Sequence, residues 1–526
     1  MKTIAVIGLG PSGLVATKEL KQKGFHVVAF DGQDRIGGVW TYPGEKHGVY
    51  KELFMNSSRA FTEYSDFPWN PEDYPDYVST DENDDNHGGC HGSAFEFRAY
   101  LEAYAKHFQL TECFQLETRV LSIEGRASGS GYNIQTQKNG ETTSHEFDAV
   151  VICTGRDAVP NNPLKETTFK DFFDEKDTSK TSMTVIHSQQ VKNMADYDGK
   201  RVLIVGACVS GSDISARLAE RGKCKTVVNS VRTVPYHMDK YSALDGRTFE
   251  EYSLIRLVSW MAPYMPSRIA FEGLKQVTLQ HNPDQLSEEI TGNPELVPDK
   301  DMRNAFVGFT KDYMKYVKEG KLIVKPEIDQ VDRNSNTVAF KDGTKDTFDV
   351  VILSTGYKGW DLSILPKDIR DDIKHEATTE VEPALYNRCL VANVPDMAFI
   401  GLANIGAITP VAEILARYVA AVFNEDIQRP TESKIAAGVE QFRAFRDAGR
   451  FNRYDITTDI QEMVGYELGV IPTMKQAMWN PSELLFGPMY PCYYRTNPDV
   501  DDENVVAKAK ERYAWCKKHP MIRTDA

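Results

Sequence analysis

Basic residues are in the minority: 61 lysines and arginines face 76 aspartates and glutamates, a formal charge of −15. A surface of that sign is repelled by a phosphate backbone, so nucleic acid is excluded as the expected partner. Cysteine is sparse, eight in 526 residues and without a repeating spacing. That excludes a disulfide-stapled scaffold and points to a reducing compartment, the cytoplasm. Long apolar runs are missing. No window holds the ~18 uninterrupted apolar residues that a spanning helix needs. The two most apolar stretches, 396–423 and 252–272, are broken by Asn404, Glu413 and Arg417, and by Arg256 and Arg268. Residues 1–7, MKTIAVI, run into glycines before a signal-peptide core forms, and the tail HPMIRTDA carries no anchor pattern. The expectation is therefore no membrane partner. With 41% apolar and 26% charged residues the chain is not mainly disordered, and its length allows three to four modules.

Glycine is placed where chemistry would need it. Thr3–Ile7 reads as a short buried strand. Gly8-Leu9-Gly10-Pro11-Ser12-Gly13 is a turn, and Leu14, Thr17, Lys18 and Leu20 follow at helical spacing until Gly24. A second strand, Phe25–Phe30, ends at Asp31. In such a unit the first glycine makes the tight turn, the second lets backbone approach a pyrophosphate, and the third lets the helix pack closely. The helix N-terminus offers free N–H groups to the phosphates, and Asp31 can accept from ribose hydroxyls.

The pattern recurs. Arg201–Val205 is a strand, Gly206-Ala-Cys208-Val-Ser210-Gly211 a second turn, and Ser212–Arg221 a helix ended by Gly222. Gly206 lies 198 residues after Gly8. Phe147–Gly155 (FDAVVICTG) likewise matches Phe348–Gly356 (FDVVILSTG), and each is preceded by a hairpin signal, Asn139-Gly140 and Asp342-Gly343. The reading is an α/β chain with two nested Rossmann-like dinucleotide domains, each with a β-meander. The expected division is 1–175 and 331–450 for a discontinuous first domain, 176–330 for the second, and 451–526 for a helical tail packed on the first.

The copies differ at the ribose. Where the first has Asp31, the second has Asn229, followed by Ser230 and Arg232. A neutral residue with a nearby arginine accommodates a 2′-phosphate, so the second site reads as NADPH. A chain holding two dinucleotides passes hydride between them, which makes the first one FAD. A dithiol relay would need a cysteine pair just after Gly37-Gly38, where the chain reads Val39-Trp40-Thr41-Tyr42, and no cysteine occurs until Cys90. Oxygen or an external acceptor then takes the electrons.

These residues resemble the flavin-containing monooxygenases over nearly the whole chain. GLGPSGL at 8–14, GGVW at 37–40, FMNSSRAFTEYSDFPW at 54–69, the second glycine turn, STGY at 354–357 and LFGPMY at 485–490 stand in that family's order. The resemblance implies FAD and NADPH as cofactors, O2 as co-substrate and a flavin C4a-hydroperoxide that oxygenates an amine nitrogen or a sulfide sulfur. It implies Asn56 beside the flavin as the catalytic amide, lined by Met55 and Ser57. It places Gly8, Leu9, Gly10, Pro11, Ser12, Gly13, Asp31, Gly38, Val39, Trp40, Val120, Thr154 and Gly155 around FAD. Ser210, Gly211, Ser212, Asp213, Arg232, Thr355 and Gly356 fall around NADPH. No metal is implied, and a homodimer is left open.

Three departures stand out. The family fingerprint before the second nucleotide unit is met at His187 and Lys192 but not at Thr181, Met183 or Val191. Baeyer–Villiger relatives carry tryptophan where Val191 stands. Cys208 replaces the middle glycine of the second turn, where its side chain is expected to push the pyrophosphate outward. A Baeyer–Villiger oxygenase and a peroxide-forming NADPH oxidase are the alternatives. His87, Cys90 and His91, in an acidic glycine-rich stretch, match no closed zinc spacing and read as a solvated loop. The aromatics of 234–330, among them Tyr236, Tyr241, Tyr252, Trp260 and Tyr264, read as a cover over the substrate entrance.

Overall fold

Two parallel sheets carry the chain, and each is built on one of the glycine turns. The computed structural model describes residues 1–42, 48–70, 73, 90–126, 129–156, 159–162, 183–253, 255–261, 267–300, 307–310, 312–332, 335–373, 383–402, 408–447, 457–472, 475, 478, 481–497 and 501–519. The acidic stretch 81–89, Tyr264 and the expected boundary at 175/176 lie outside them.

The first sheet holds β1 (Thr3–Ile7), β2 (His26–Phe30) and β3 (Phe114–Gln115). A meander follows, β4 (Arg119–Gly125), β5 (Tyr132–Lys138) and β6 (Glu141–Phe147), and returns the chain to β7 (Ala149–Ile152). The second unit runs from β8 (Thr184–His187) through β9 (Arg201–Val205) and β10 (Thr226–Ser230). An excursion carries the pair β11 (Tyr236–Asp239) and β12 (Val307–Thr310). Then come β13 (Ile323–Lys325), a second meander of β14 (Ile328–Asp332), β15 (Thr337–Phe340) and β16 (Lys345–Thr347), and β17 (Val350–Leu353). The chain then rejoins the first sheet as β18 (Leu390–Val391) and β19 (Val394–Phe399).

The sheet orders are β18-β19-β7-β1-β2-β3 and β13-β10-β9-β17-β8. Within them β3-β2-β1-β7 and β13-β10-β9-β17 are the same arrangement, and the expected repeat is present strand for strand. The central strands are apolar throughout because both faces are covered, one by helices and the other by the meander: Ile4, Ala5 and Val6, like Val202, Leu203 and Ile204, have no exposed surface. Helices Pro11–Gln22 and Val209–Arg221 follow β1 and β9, the first opened by proline and the second closed by Gly222 in the left-handed conformation.

The expected boundary at 330/331 is corrected by the strand pairing. The second meander, a sheet of its own, packs on the second sheet between β13 and β17 in the chain, and β17 pairs with β8 and β9, so residues 328–353 belong to the second unit. The return comes just beyond, since Trp360, Leu362 and Leu365 lie in the core around Ile7, Phe30 and Ile152. The two crossings between units are bonded to each other. Asn161 N–H donates to Gly356 O at 2.9 Å, Lys358 N–H to Val159 O at 2.9 Å, and the Thr355 hydroxyl to Asn161 O at 2.6 Å.

The tail docks on the first unit through buried charge. Arg495 Nη2 lies 2.5 Å from Glu19, 3.1 Å from Glu413 and 3.5 Å from Asp66, and its Nη1 is 3.2 Å from Asp501. Lys18 shares Glu19 and Asp66, and Arg417 shares Asp501 at 2.9 Å. Glu19, Asp66 and Glu413 converge within 4.8 Å, on these cations. Burial alone would raise Glu19, but Arg495 and Lys18 overcome it and hold its carboxyl well below the usual range. A second strap comes from helix Glu503–Lys518, whose Arg512 forks onto both oxygens of buried Glu63 at 2.9 and 2.7 Å. Arg256 and Glu462 form a third such fork, 2.8 Å at each prong. Among the described residues no helix is long and apolar enough to cross a membrane.

Removing Arg495 takes away the cation bonded to buried Glu413 and leaves Glu19 and Asp66 on Lys18 and Asp501 on Arg417 in a dry site. Arg495→Met is expected to cost about 3–5 kcal/mol and to make the tail protease-sensitive, readable by limited proteolysis and melting. A second expectation concerns pH. His237 on β11 is fully buried, its ring nitrogens carry no partner, and it stacks on Tyr313 at 3.9 Å. Burial pushes its pKa down to about 3. The folded state therefore binds fewer protons than the unfolded one between about pH 6.5 and 3. Its stability is full above that window and falls with pH, by about 1.4 kcal/mol per unit for this group. Unfolding midpoints at pH 7.5 and 5.5 are expected to differ less in His237→Phe than in the wild type.

Candidate active site

Each turn is pinched in the same way. Gly8 has φ 101° and Gly206 φ 102°. A Cβ on Gly8 would lie 2.5 Å from Cys153 O, and one on Gly206 2.5 Å from Ser354 O. Those carbonyls end the strands β7 and β17. The third glycines are tighter still, with a Cβ on Gly13 falling 1.8 Å from Gly8 O and one on Gly211 2.0 Å from Gly206 O. The close packing expected against the strand is thus mainly against the turn's own first carbonyl.

Around the first turn the backbone faces the opening while the side chains turn inward. Leu9, Pro11 and Ser12 are buried, Gly10 is half-buried, and a Cβ on Gly38 would meet Gly10 Cα at 3.0 Å. That bare floor is a cradle for a flat or charged group approaching backbone. Asp31 ends β2 and accepts from Leu9 N–H at 2.7 Å and Gln33 N–H at 2.9 Å. Burial raises its pKa, against those two bonds. Its carboxylate therefore holds the turn. Val39 is exposed beside the cradle, and Trp40 packs edge-on against Phe97 at 5.0 Å. Val120 is a core residue of β4 next to Phe30. The hydroxyl of Thr154, just before Gly155, is buried and without a partner.

The second turn departs from expectation in its side chains. Asp213 is buried and accepts from the Tyr50 hydroxyl, with Arg217 at 3.9 Å. Ser212 is fully buried and its hydroxyl donates to Ala207 O at 2.8 Å. Both belong to the scaffold and not to a phosphate face, because the inner side of helix Val209–Arg221 is filled by the segment around Tyr50. Ser210 is exposed in the first helical turn, where N–H groups are open. Asn229 is also structural: its amide donates to Ile204 O and Gly206 O, and accepts from Tyr313. Arg232, just beyond β10, is exposed. Cys208 has φ −76° and an extended ψ, the geometry of Gly10 (φ −71°), which any residue adopts without strain. Thr355 is tied to the paired crossings, Gly356 is exposed beside them, and the Ser354 hydroxyl is buried without a partner.

Asn56 stands where the two cores meet. Tyr50 and Leu53 pack in the second unit's core, while Met55 packs with Leu9 and Ile36 in the first. The chain between them is fastened at each step. Lys51 N–H donates to Lys192 O, Met194 N–H reaches Glu52, and Arg217 lies over the Phe54 ring. Met55 and Ser58 are buried and Ser57 is half-buried, yet Asn56 is exposed. His187, by contrast, is a structural group, with Nε2 3.0 Å from Gly356 O and Nδ1 accepting from Gln189 N–H. His91 is buried and its Nδ1 lies 3.0 Å from the Tyr241 hydroxyl. That corrects the reading of a wholly solvated loop. Tyr236 and Tyr241 are buried as well, so they are core more than cover.

Sequence reading passed over Thr409. It opens helix Ile408–Phe423, which packs along helix Pro11–Gln22, and its hydroxyl is buried without a partner. Thr409-Pro410 reads as an ordinary helix start, and only the fold brings it beside the first turn.

Both turns thus fit a dinucleotide by geometry: a first glycine pinched against a strand-end carbonyl, the N-terminus of a long helix, and an orphaned hydroxyl at the strand end, with a bare backbone cradle added at the first. The comparisons agree. Residues 1–500 match the family model described as flavin-binding monooxygenase-like. Flavin-containing monooxygenase 5 of Rattus norvegicus is 27% identical over 515 residues, covering 94% of this chain and 88% of the relative. Dimethylaniline monooxygenase (N-oxide-forming) 2 of Rattus norvegicus is 26% identical over 549 residues, covering 100% and 95%. Among solved structures, S-allyl-L-cysteine S-oxygenase from Allium sativum superposes with a TM-score of 0.61 at 19% identity, covering 98% of this chain and 99% of that one. Cyclohexanone monooxygenase superposes with 0.62 at 17%, covering 89% and 97%. At those identities the superpositions establish the fold. FAD and NADPH are the cofactors of the matched family. From the paired turns and a match over residues 1–500, the chain belongs to the flavin-binding monooxygenase-like family of enzymes.

Proposed function

We propose that this enzyme uses NADPH and O2 to oxygenate a soft nucleophile, an amine nitrogen or a sulfide sulfur. The single observation that carries the reading is Asn56, an exposed neutral amide on a buried loop between the two nucleotide units. FAD, when bound, accepts hydride from NADPH and activates O2. The chain's own residues then have separate tasks. The turn Gly8–Gly13 and the start of helix Pro11–Gln22 hold the FAD pyrophosphate, with Asp31 toward its ribose. Thr154 and Thr409 offer hydroxyl hydrogen bonds to the same cofactor. The turn Gly206–Gly211, Ser210 and Arg232 hold NADPH, Arg232 at the 2′-phosphate end. We assign the first unit to FAD and the unit from β8 to β17 to NADPH.

Asn56 donates hydrogen bonds from an amide that has no acidic proton to lose. A carboxylic acid there would set a proton donor beside the place where FAD would reduce O2, and would favour loss of the two-electron-reduced oxygen as hydrogen peroxide. The absence of a dithiol after Gly38 supports oxygen as the acceptor. The activities for which two similar proteins are named, N-oxide formation and S-oxygenation, support the same class of nucleophile.

Purified enzyme supplied with NADPH and a panel of tertiary amines, sulfides and ketones tests this by mass spectrometry of products. N-oxides or sulfoxides are the expected result; lactones or esters would replace it with Baeyer–Villiger chemistry. Asn56→Leu is expected to keep NADPH consumption within a few fold. Its product yield should fall about 100-fold while peroxide rises toward one per NADPH. The two turns separate in a second experiment. Gly13→Ala is expected to yield colourless protein without FAD. Gly211→Ala is expected to stay yellow but lose NADPH-driven bleaching of the flavin.

A further inference from the structure

The Asn56 loop is gripped from both sides by groups of opposite charge. Lys240, the residue after β11, is only 4% exposed, and its Nζ donates to Met55 O at 2.8 Å and Phe54 O at 3.2 Å. Glu250 is 5% exposed and accepts from Ser58 N–H at 2.9 Å through Oε1. Lys240 and Glu250 flank one short hairpin, closed by the Tyr241–Thr248 bridge and by Ser242 N–H donating to Arg247 O at 2.7 Å. That hairpin belongs to the second unit's excursion. Its cation meets the carbonyls before Asn56 and its carboxylate meets the amide after it.

The arrangement has a geometric consequence. The Met55 carbonyl lies in the peptide plane that ends at the Asn56 nitrogen. Fixing that oxygen fixes the plane from which the Asn56 side chain departs. A buried ammonium is costly unless carbonyls or carboxylates receive it, so its hydrogen bonds here are directional and hard to exchange. Met55 N–H donates to Gly92 O at 2.9 Å, so the same residue is held from the first unit too.

We propose that Lys240, opposed by Glu250, is a positioning residue that orients Asn56 and ties it to the NADPH unit. The proposal rests on the reading of Asn56 given above. Its test uses FAD-loaded enzyme and two readouts, amide hydrogen exchange of residues 54–58 and peroxide formed per NADPH. Lys240→Met is expected to speed exchange there at least tenfold and to raise peroxide yield at least fivefold. Lys240→Arg, which can donate to both carbonyls, is expected to restore both. Wild-type exchange and coupling in Lys240→Met would overturn the proposal. If Lys240→Met does not fold, Lys240→Gln, too short to span both carbonyls, carries the same two outcomes. Unchanged coupling in Asn56→Leu would remove the reading of Asn56 instead, and the exchange rates would still decide whether Lys240 holds the loop.

Discussion

Each nucleotide site depends on a carbonyl pressed against a glycine. Cys153 O and Ser354 O sit where a side chain on Gly8 or Gly206 would have to be. This contact sets how closely the end of one strand can pass the start of the next helix. It aims the helix N-terminus across the sheet's carboxyl edge, the place where parallel sheets of this type bind ligands. A methyl group at either point would push apart the strand end, the turn and the helix at once. Pairing of β1 with β7 and of β9 with β17 then carries the same alignment through each sheet.

A second constraint works at longer range. The tail packs Tyr490, Tyr493 and Tyr513 against Phe61 of the first unit, and its arginines arrive among carboxylates already buried there. Such pairs add little net stability when complete, because desolvation offsets attraction. They are directional, however, and an incomplete set is strongly unfavourable. Arg495 on Glu19 and Glu413, and Arg512 on Glu63, therefore fix the register in which the tail lies. The same logic recurs at Lys240 and Glu250, where opposite charges hold one exposed amide in a buried loop.

The legible part of this fold is the local part. Strand, turn, helix and Asp31 lie within about thirty residues, and each follows from spacing and glycine chemistry. Membership of a strand in a sheet is not local. Val350–Leu353 matches the returning strand of the first copy, yet the expected boundary at 330/331 gave it to the first domain, and its pairing with β8 and β9 decides for the second. Asp213 looks as suited to a ligand as Asp31 does, but Tyr50, 163 residues away, takes its carboxylate inward. Asn229 reads as a ribose-side residue, but its amide braces the turn from within. Lys240 stands in a stretch without a repeat partner. A lysine there reads as solvated until the fold sets two carbonyls above it.

The bonded crossings also bear on how the chain reaches this state. The second unit begins beyond Asn161 and ends before Gly356, and those two residues share a hydrogen bond. Once folded, it joins the two parts of the first unit as a connection of a few residues would, although almost two hundred lie between. Loop-closure entropy grows with the logarithm of length, so this shortening saves the first sheet roughly 2–3 kcal/mol of ordering cost. The inserted unit is then the natural one to form first. The interrupted sheet, whose strands β7 and β19 are neighbours in space and distant in sequence, closes around its finished ends.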